Sequence, residues 1–228
     1  MDKKISCKNL YNLINSKEMI ASGSESNIYK NSSNSLFKFR AGYFADALGL
    51  EKEDMENLTL DQIELAIQIR HANSNSFQYF KQKEKENELK KVIKMDKFLQ
   101  YSNTPKSLVF VDDICVGYIL PYHKDMITLK DYLEKENLQP AQKLQVYLNI
   151  EREINELREN YIYHPDLTLG NILVNPKTSE TQIIDFEDDI VVCDKEYLIG
   201  EIAYKRYLRT FSDLLSVNQK ENDERSAK

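Results

Sequence analysis

Hydrophobic positions recur at helical spacing in several segments of the chain. The pattern predicts a helix over residues 8–16, a longer and highly charged amphipathic helix over residues 81–100, and shorter helices over residues 128–133 and 195–216. The strongest helical pattern follows Pro140, a residue that suits the first turn of a helix. Its apolar members are Leu144, Leu148, Ile150, Ile154, Leu157 and Tyr161. We expect this helix to be the core helix of the second half of the chain.

Short apolar runs bounded by turn residues predict strands. They fall into three pairs, and each pair flanks a turn of the kind found in hairpins. The pairs are 27–30 with 35–40, 107–111 with 114–120, and 172–174 with 182–184. Residues 59–69 fit two structures, because the Thr-x-x-Gln spacing that starts at Thr59 favours a capped helix, whereas the alternation of isoleucine and leucine favours a strand.

The order of these elements predicts an α+β chain of two lobes. Strands and a helix come first, then mostly helices with one inserted hairpin, and the change falls near Pro121. We therefore expect a small β-rich N-terminal lobe over residues 1–121 and a reduced helical C-terminal lobe over residues 122–217. Residues 218–228 form a polar tail that we expect to be disordered.

Composition and charge narrow the function classes. The 228 residues carry a formal net charge of −6, which argues against non-specific nucleic-acid binding, since that binding depends on lysine and arginine. No apolar run approaches the length of a membrane helix, and the first residues lack the apolar stretch of a signal peptide, so we expect a cytoplasmic protein.

Three widely separated cysteines, Cys7, Cys115 and Cys193, favour reduced thiols over a disulfide framework, and three scattered histidines predict no zinc site.

Two neighbouring segments carry most of the chemical information in the chain. Residues 164–174 read His-Pro-Asp-Leu-Thr-Leu-Gly-Asn-Ile-Leu-Val, and residues 183–187 read Ile-Ile-Asp-Phe-Glu. Asp166 ends a loop, Asn171 lies where a strand begins and Asp185 follows the partner strand, so folding the hairpin back brings three oxygen-bearing side chains together. Carboxylate and amide oxygens are hard ligands that suit Mg²⁺, which binds one or two protein groups together with substrate phosphates.

These segments resemble the catalytic motifs of the protein-kinase-like superfamily, in which H-x-D-x-x-x-x-N precedes a hairpin that ends in D-F-G. The resemblance implies that Asp166 is the catalytic base that orients or deprotonates an acceptor hydroxyl, and that Asn171 and Asp185 are Mg²⁺ ligands. It implies a structural role for His164. The run is similar to the catalytic loops of aminoglycoside phosphotransferases, choline kinases and small bacterial kinases.

Two positions depart from the pattern of eukaryotic protein kinases. Pro165 stands where those kinases have an arginine, and Glu187 stands where they have the glycine of D-F-G. Because that arginine pairs with a phosphorylated activation loop, we do not expect control by this route. The short stretch of chain after Asp185 contains no A-P-E segment, which implies a truncated second lobe without the usual peptide-docking surface.

The resemblance also implies nucleotide-binding residues in the first half of the chain. Residues 23–30 are similar to an abbreviated glycine-rich loop between two strands, in which main-chain N–H groups contact phosphate oxygens. The predicted cofactor-binding residues of this loop are Gly23, Ser24, Glu25 and Ser26. Lys38, a charge between two phenylalanines of a strand, is similar to the lysine that holds the α- and β-phosphates, with Arg40 as the alternative.

Two further contacts follow from the same resemblance. The strand lysine pairs with a glutamate on the next helix, and we expect Glu88 to be that partner because it shares a helix face with an apolar residue one turn later. Glu84 and Glu86 are the alternatives. Leu120 and Tyr122 lie where the kinase fold links its lobes, and we expect them to contact the adenine of ATP.

The resemblance implies an ATP- and Mg²⁺-dependent phosphotransferase that moves the γ-phosphate to a hydroxyl. We expect the acceptor to be Ser or Thr of a protein, because the chain leaves little room for the helical insertions that form small-molecule pockets in antibiotic and choline kinases. A small-molecule kinase of that type is the first alternative, and a nucleotide-binding pseudokinase that acts through protein–protein interaction is the second. Residues 41–80 are long for a strand-to-helix connection and predict a family-specific partner or substrate contact.

Overall fold

The structure of the protein is a computed structural model. It describes residues 2–23, 25–51, 54–55, 58–99, 104–134, 138–164, 166–186 and 191–192. These residues form a mixed α and β structure. The chain divides into two compact units, of which the first comprises residues 1–96 and 104–124 and the second comprises residues 97–103 and 125–228.

The first unit is built around a mixed sheet. Its strands in the described part of the chain are β1 (Lys3–Ile5), β2 (Met19–Ser22), β3 (Asn27–Ser32), β4 (Ser35–Phe39), β5 (Ser107–Val111) and β6 (Ile114–Pro121). They lie in the order β1-β5-β6-β4-β3-β2, and each neighbouring pair is antiparallel except β1 with β5. Its helices are α1 (Cys7–Asn15), α2 (Ala41–Leu48), α3 (Leu60–Ala72) and α4 (Phe77–Met95), and a 3₁₀ turn at Asp96–Phe98 follows α4.

Both hairpins predicted in this half of the chain are confirmed, as β3 with β4 and β5 with β6. By contrast, β1 and α2 have no counterpart in the sequence prediction. β1 contributes three residues to a parallel pairing in which Lys3 lies opposite Val109. Such a short strand, with a partner so distant along the chain, leaves no local hydrophobic pattern to read.

The segment that fits both a helix and a strand is a helix, α3. The Thr59 hydroxyl accepts a hydrogen bond from the Gln62 N–H at 3.2 Å, and the Gln62 side chain accepts one from the Thr59 N–H at 2.9 Å. These two bonds are the predicted capping box. Ile63, Ala66 and Ile67 are buried at helical spacing, so the strand interpretation is wrong.

Aromatic side chains join β4 to α2 in the core of the first unit. Phe37, Phe39 and Phe44 are fully buried, and the ring centroids of Phe39 and Phe44 lie 5.0 Å apart. Side chains alternate between the two faces of a strand, so Lys38 projects from the opposite face of β4 to these two phenylalanines of the strand. The aromatic packing therefore fixes the strand that carries the predicted phosphate-binding lysine.

The second unit contains one long helix and short strands. Its elements in the described residues are β7 (Ile127–Thr128), α5 (Leu129–Leu133), α6 (Pro140–Glu159), β8 (Ile162–Tyr163), a 3₁₀ turn at Leu169–Asn171, β9 (Ile172–Val174), β10 (Thr181–Ile183) and β11 (Val191–Val192). β10, β9 and β7 form one antiparallel sheet in that order, and β11 pairs with β8. The third predicted hairpin is confirmed as β9 with β10.

The long helix α6 is confirmed, but its buried face differs from the predicted one. Leu144 and Leu148 are 58% and 49% exposed, so they do not belong to the core. The buried residues are Val146, Asn149, Ile150, Glu153, Ile154, Glu156 and Leu157. Successive residues of a helix are rotated by about 100°, so a residue two positions before Ile150 lies on nearly the opposite side of the helix. Polar residues therefore occupy places on the buried face that apolar spacing alone does not reveal.

Several predictions concern residues outside the described part of the chain. These are the helix over residues 195–216, the tail over residues 218–228, and the positions of Pro165, Glu187 and Cys193. Cys7 and Cys115 are free thiols, as predicted. Within the described residues, no helix combines the length and the apolar character that crossing a membrane requires.

Gly117 allows β6 to lie close to the strand that carries Lys38. A Cβ atom added at Gly117 would lie 2.2 Å from the main-chain oxygen of Lys38 and 2.8 Å from the Phe37 ring. We predict that Gly117→Ala lowers the free energy of unfolding by about 1–3 kcal/mol or more, because β4 must move to admit the methyl group. Denaturant unfolding measures this loss.

Gly170→Ala is the matched control for this prediction. The nearest atom to its added Cβ would be the Thr168 hydroxyl oxygen at 3.8 Å, an ordinary contact. We expect Gly170→Ala to change stability by less than about 0.5 kcal/mol. Equal losses in the two variants would contradict the close approach at Gly117.

Candidate functional site

The second unit brings Asp166 and Asn171 together. The loop after β8 contains Asp166, which is exposed, and the 3₁₀ turn before β9 ends at Asn171. The Asn171 side-chain Nδ2 donates to the main-chain oxygen of Asp166 at 2.8 Å and to its carboxylate Oδ2 at 2.9 Å. Two hydrogen bonds from one amide fix both the loop and the orientation of the carboxylate.

Asp185 lies beside Asn171 through the main chain. The Ile184 N–H donates to the Asn171 carbonyl at 2.9 Å, so the residue before Asp185 is bonded directly to Asn171. Asp185 has a φ of 70°, in the left-handed region that aspartate and asparagine enter more readily than most residues. The backbone thus turns sharply at the end of the β9–β10 hairpin, where the half-buried Asp185 stands.

His164 supports both acidic segments from the interior. It is only 2% exposed, and its Nε2 and the Ile184 carbonyl oxygen lie 2.8 Å apart. Burial lowers the pKa of His164, while its bond to Ile184 and the charges of Asp185 and Asp166 act in the opposite direction. A neutral ring that donates from Nε2 to this carbonyl fits these contacts. The His164 ring also packs edge-on against Phe186, with centroids 5.2 Å apart.

Asn171 and Asp185 carry the side-chain oxygen atoms at this place that could hold a magnesium ion. Because Asn171 Nδ2 is used by Asp166, its amide oxygen points away from that carboxylate. That oxygen and the carboxylate of Asp185 are the hard donors with which Mg²⁺ combines water and phosphate oxygens. No group of three or more His, Cys, Asp or Glu side chains suited to a metal occurs among the described residues. For a metal ion here, these two residues would offer one amide oxygen and one carboxylate.

Sequence reasoning missed two buried acids in this unit, Glu153 and Glu156 of α6, of which Glu153 is the more buried at 2% exposed. Its Oε2 accepts a hydrogen bond from the Ile183 N–H at 2.8 Å, and its Oε1 accepts one from the Thr181 hydroxyl. Burial raises the pKa of Glu153 to about 7. A signal was present in the sequence, because Glu153 lies three residues after Ile150 and four before Leu157, on the same helix face.

In the first unit, the predicted glycine-rich loop is a tight turn between β2 and β3. The Gly23 N–H donates to the Ser26 carbonyl at 2.9 Å, and the Gly42 N–H donates to the Glu25 carbonyl at 2.9 Å. The second bond joins the turn to the first turn of α2. Glu25 is exposed and Ser26 is buried, whereas Ser24 lies outside the described residues.

Lys38 lies in the middle of the sheet of the first unit. It is opposite Ile28 of β3 and Tyr118 of β6, and it is half-buried. Its Nζ lies 5.9 Å from the centroid of the Tyr118 ring. β2, β3 and β4 are neighbouring strands in that order. The predicted glycine-rich loop joins the first two of them, and Lys38 lies on the third.

The buried glutamate of α4 is Glu86. It accepts a hydrogen bond from Lys83 Nζ at 2.9 Å and lies 3.9 Å from Arg40 Nη1, at the end of β4. Burial lowers the pKa of Lys83, but the hydrogen bond and the charge of Glu86 outweigh it and the pKa is raised. Glu88 is 30% exposed and forms an ion pair with Lys91. The pairing of Lys38 with Glu88 stays a prediction.

The predicted adenine-contact residues lie at the end of β6. Leu120 pairs with Leu36 across the β4–β6 ladder. The Tyr122 N–H donates to the Asn34 carbonyl at 3.1 Å. A contact between Tyr122 and adenine would therefore use a different group of Tyr122, since its main-chain donor already has a partner.

Two comparisons with known proteins were negative. No protein-family model matches this chain, and no curated protein matches it. The functional interpretation therefore rests on the arrangement of Asp166, Asn171 and Asp185 and on the motifs that contain them.

The two glutamates of α4 give a matched pair of variants. We predict that Glu86→Gln lowers the free energy of unfolding by about 1–3 kcal/mol, because Lys83 and Arg40 lose a buried negative partner. Glu88→Gln removes a more exposed charge and should cost less than about 1 kcal/mol. Denaturant unfolding of both variants measures the difference, and similar losses would contradict the assignment of Glu86 as the buried partner.

The raised pKa of Glu153 predicts a pH-dependent stability. Between the ordinary value of 4.5 and about 7, the folded protein keeps a proton that the unfolded chain has lost. The stabilising contribution is therefore complete below pH 4.5 and is lost as the pH rises through about 7. Glu153→Gln cannot titrate, so its stability should rise relative to the wild type by up to about 3 kcal/mol between pH 5 and pH 8.

Unfolding curves of the wild type and Glu153→Gln across this pH range measure the effect. The difference between the two proteins cancels the titration of other groups, including His164. Glu151→Gln, a change at an exposed position of the same helix, should show no such trend. A difference between the wild type and Glu153→Gln that does not vary with pH would contradict the burial of an ionisable Glu153.

Proposed function

We propose that this protein is an ATP- and Mg²⁺-dependent phosphotransferase that transfers the γ-phosphate to a hydroxyl group. One observation carries the proposal. Asn171 binds Asp166 through its side chain and binds Ile184, the residue before Asp185, through its carbonyl, so the segments that carry both acids are hydrogen-bonded to one residue. This arrangement suits a reaction in which the protein positions reactants and neutralises charge, without a covalent intermediate.

In the proposed reaction Asp166 acts on the acceptor hydroxyl. The hydroxyl oxygen forms a bond to the γ-phosphorus as the bond from that phosphorus to the β,γ-bridging oxygen breaks, and ADP leaves. The hydroxyl proton passes to the Asp166 carboxylate. Asp166 is exposed and can meet an acceptor, while the hydrogen bond from Asn171 keeps its carboxylate in one orientation.

Asn171 and Asp185 would hold the Mg²⁺ ion through the amide oxygen and the carboxylate. When bound, Mg²⁺ neutralises negative charge on the nucleotide phosphates. The hydrogen bond from Ile184 to Asn171 holds the main chain before Asp185 beside Asn171, and the backbone turns at Asp185 itself, which has a left-handed conformation.

The first unit supports a nucleotide-binding role. The Gly/Ser turn joins β2 to β3, and Lys38 lies on β4, the next strand of the same antiparallel ladder. This position matches that of the phosphate-binding lysine in the protein-kinase-like fold. We assign the α- and β-phosphates to Lys38 and to main-chain N–H groups of the turn, other than that of Gly23, which already donates to Ser26. The adenine contact is assigned to Leu120 and Tyr122.

Transfer of labelled phosphate from ATP tests this proposal. The wild type is incubated with Mg²⁺ and labelled ATP alone, with a mixture of protein acceptors, and with small-molecule alcohols. We predict that Asp166→Asn and Asp185→Asn each lower the transfer rate by about 100-fold or more, since each removes a charged group that acts on the reacting atoms. Asp125→Asn, at an exposed position of the same unit, should leave the rate unchanged.

The outcomes separate the candidate functions. Label on a protein or on an alcohol identifies the acceptor class. Thermal stabilisation by ATP with no transfer to any acceptor would contradict the phosphotransferase and favour the pseudokinase. Transfer that persists in both Asp166→Asn and Asp185→Asn would show that the site assignment is wrong.

A further inference from the structure

The buried face of α6 carries polar side chains that bind the main chain of the β9–β10 hairpin. Asn149 Nδ2 donates to the Ser179 carbonyl at 2.7 Å. One helical turn later, Glu153 accepts from the Thr181 hydroxyl and from the Ile183 N–H. Residues four apart lie on the same helix face, so Asn149 contacts the turn before β10 and Glu153 contacts β10 itself.

β10 needs such a contact because it is an edge strand. Its only ladder partner in the described residues is β9, on one side. Alternate N–H groups of an edge strand point away from that partner and require another acceptor when they are buried. Ile183 is fully buried, and the Glu153 carboxylate supplies the acceptor for its N–H at 2.8 Å.

The bond to Glu153 is the first of three that hold the main chain just before Asp185. The Ile183 N–H is bound by Glu153, the Ile184 N–H is bound by the Asn171 carbonyl, and the Ile184 carbonyl lies 2.8 Å from His164 Nε2. Two of these partners, His164 and Asn171, belong to residues 164–174. Glu153 is the contribution of the long helix, so it joins the end of β10 to α6.

We propose that Glu153 is a positioning residue for Asp185: by accepting hydrogen bonds from Thr181 and Ile183, it sets the end of β10 from which Asp185 follows. The inference rests on the proposed function, since it takes Asp185 to be the metal-binding carboxylate. Glu153 itself touches neither nucleotide nor metal in this proposal. It acts on Asp185 through the main chain of Ile183 and Ile184.

A purely stabilising role does not account for a carboxylate at this place. Burial raises the pKa of Glu153, which means that the charged form is costly in the fold. Glu156 on the same helix adds to this cost and Arg152 offsets part of it. Buried ionic groups can often be replaced by apolar ones of similar size without loss of stability. The hydrogen-bond acceptors that Glu153 offers to β10 are what an apolar side chain cannot supply.

Binding of Mn²⁺ in the presence of ATP tests the proposal without relying on catalysis. Electron paramagnetic resonance of free Mn²⁺, corrected with a protein-free sample for the Mn²⁺ that ATP binds by itself, gives the affinity for the wild type, Glu153→Leu, Glu153→Gln, Thr181→Val and Asp185→Asn. We predict that Glu153→Leu weakens Mn²⁺ binding by about 10-fold to 100-fold, as loss of a group that orients a metal ligand does. Glu153→Gln keeps an acceptor for Ile183 and a partner for Thr181, so it should stay within about threefold of the wild type.

Glu151→Leu is the matched control, since Glu151 is an exposed glutamate of the same helix, and it should bind Mn²⁺ as the wild type does. Wild-type affinity in a folded Glu153→Leu protein, judged by its thermal transition, would overturn the proposal. If Glu153→Leu does not fold, Thr181→Val decides, because it removes one of the two hydrogen bonds and should still weaken binding measurably. Wild-type affinity in Thr181→Val would then overturn the proposal.

The same experiment separates this inference from the proposed function. Mn²⁺ binding that depends on Asp185 and on Glu153, in a protein that transfers no phosphate, would support the positioning role and reject the phosphotransferase. Transfer with Mn²⁺ binding unaffected by Glu153→Leu would support the phosphotransferase and reject the positioning role. Mn²⁺ binding that is unchanged in Asp185→Asn would overturn the positioning role, since Asp185 would then not be the ligand that Glu153 positions.

Discussion

The candidate site depends on Asn171, which forms hydrogen bonds through both its side chain and its main-chain carbonyl. Its side-chain nitrogen binds both the main chain and the carboxylate of Asp166, and its own carbonyl binds the N–H of Ile184. One residue therefore joins the loop before the hairpin to the strand that ends it. The bond to the Asp166 carboxylate involves a charged group, and such bonds are stronger than neutral ones. Together with the contact of His164 with Ile184, these bonds hold the two acidic segments beside each other.

Features that depend on local sequence could be predicted. The capping box at Thr59, the proline that starts α6 and the turns of three hairpins each act within a few residues, and each is present in the structure. The meeting of Asp166 with Asn171 follows from the same logic, because the two residues lie only five positions apart in a tight loop. Neighbouring residues in the sequence are enough to specify these features.

Features that depend on packing could not be predicted from the pattern. The spacing of apolar residues placed Leu144 and Leu148 in the core, but α6 buries Asn149 and Glu153, whose hydrogen-bond partners lie about thirty residues later, in β10 and the turn before it. The same holds for α4, where a rotation of the helix by two residues decides between Glu86 and Glu88. Which polar side chain is buried depends on its hydrogen-bond partner in the fold. That partner can lie far away in the sequence, so the residues around the side chain do not reveal it.

The backbone at Asp185 limits how its side chain can be probed. In the left-handed region an ordinary residue such as alanine pays about 1–2 kcal/mol of conformational energy that asparagine and glycine largely avoid. An alanine substitution there would change the carboxylate and the backbone at once, so its effect could not be divided between chemistry and strain. Asparagine keeps the backbone and removes the charge, whereas glycine keeps the backbone and removes the side chain. Comparing the asparagine and glycine variants therefore reports what the side chain at position 185 does, with the backbone conformation unchanged.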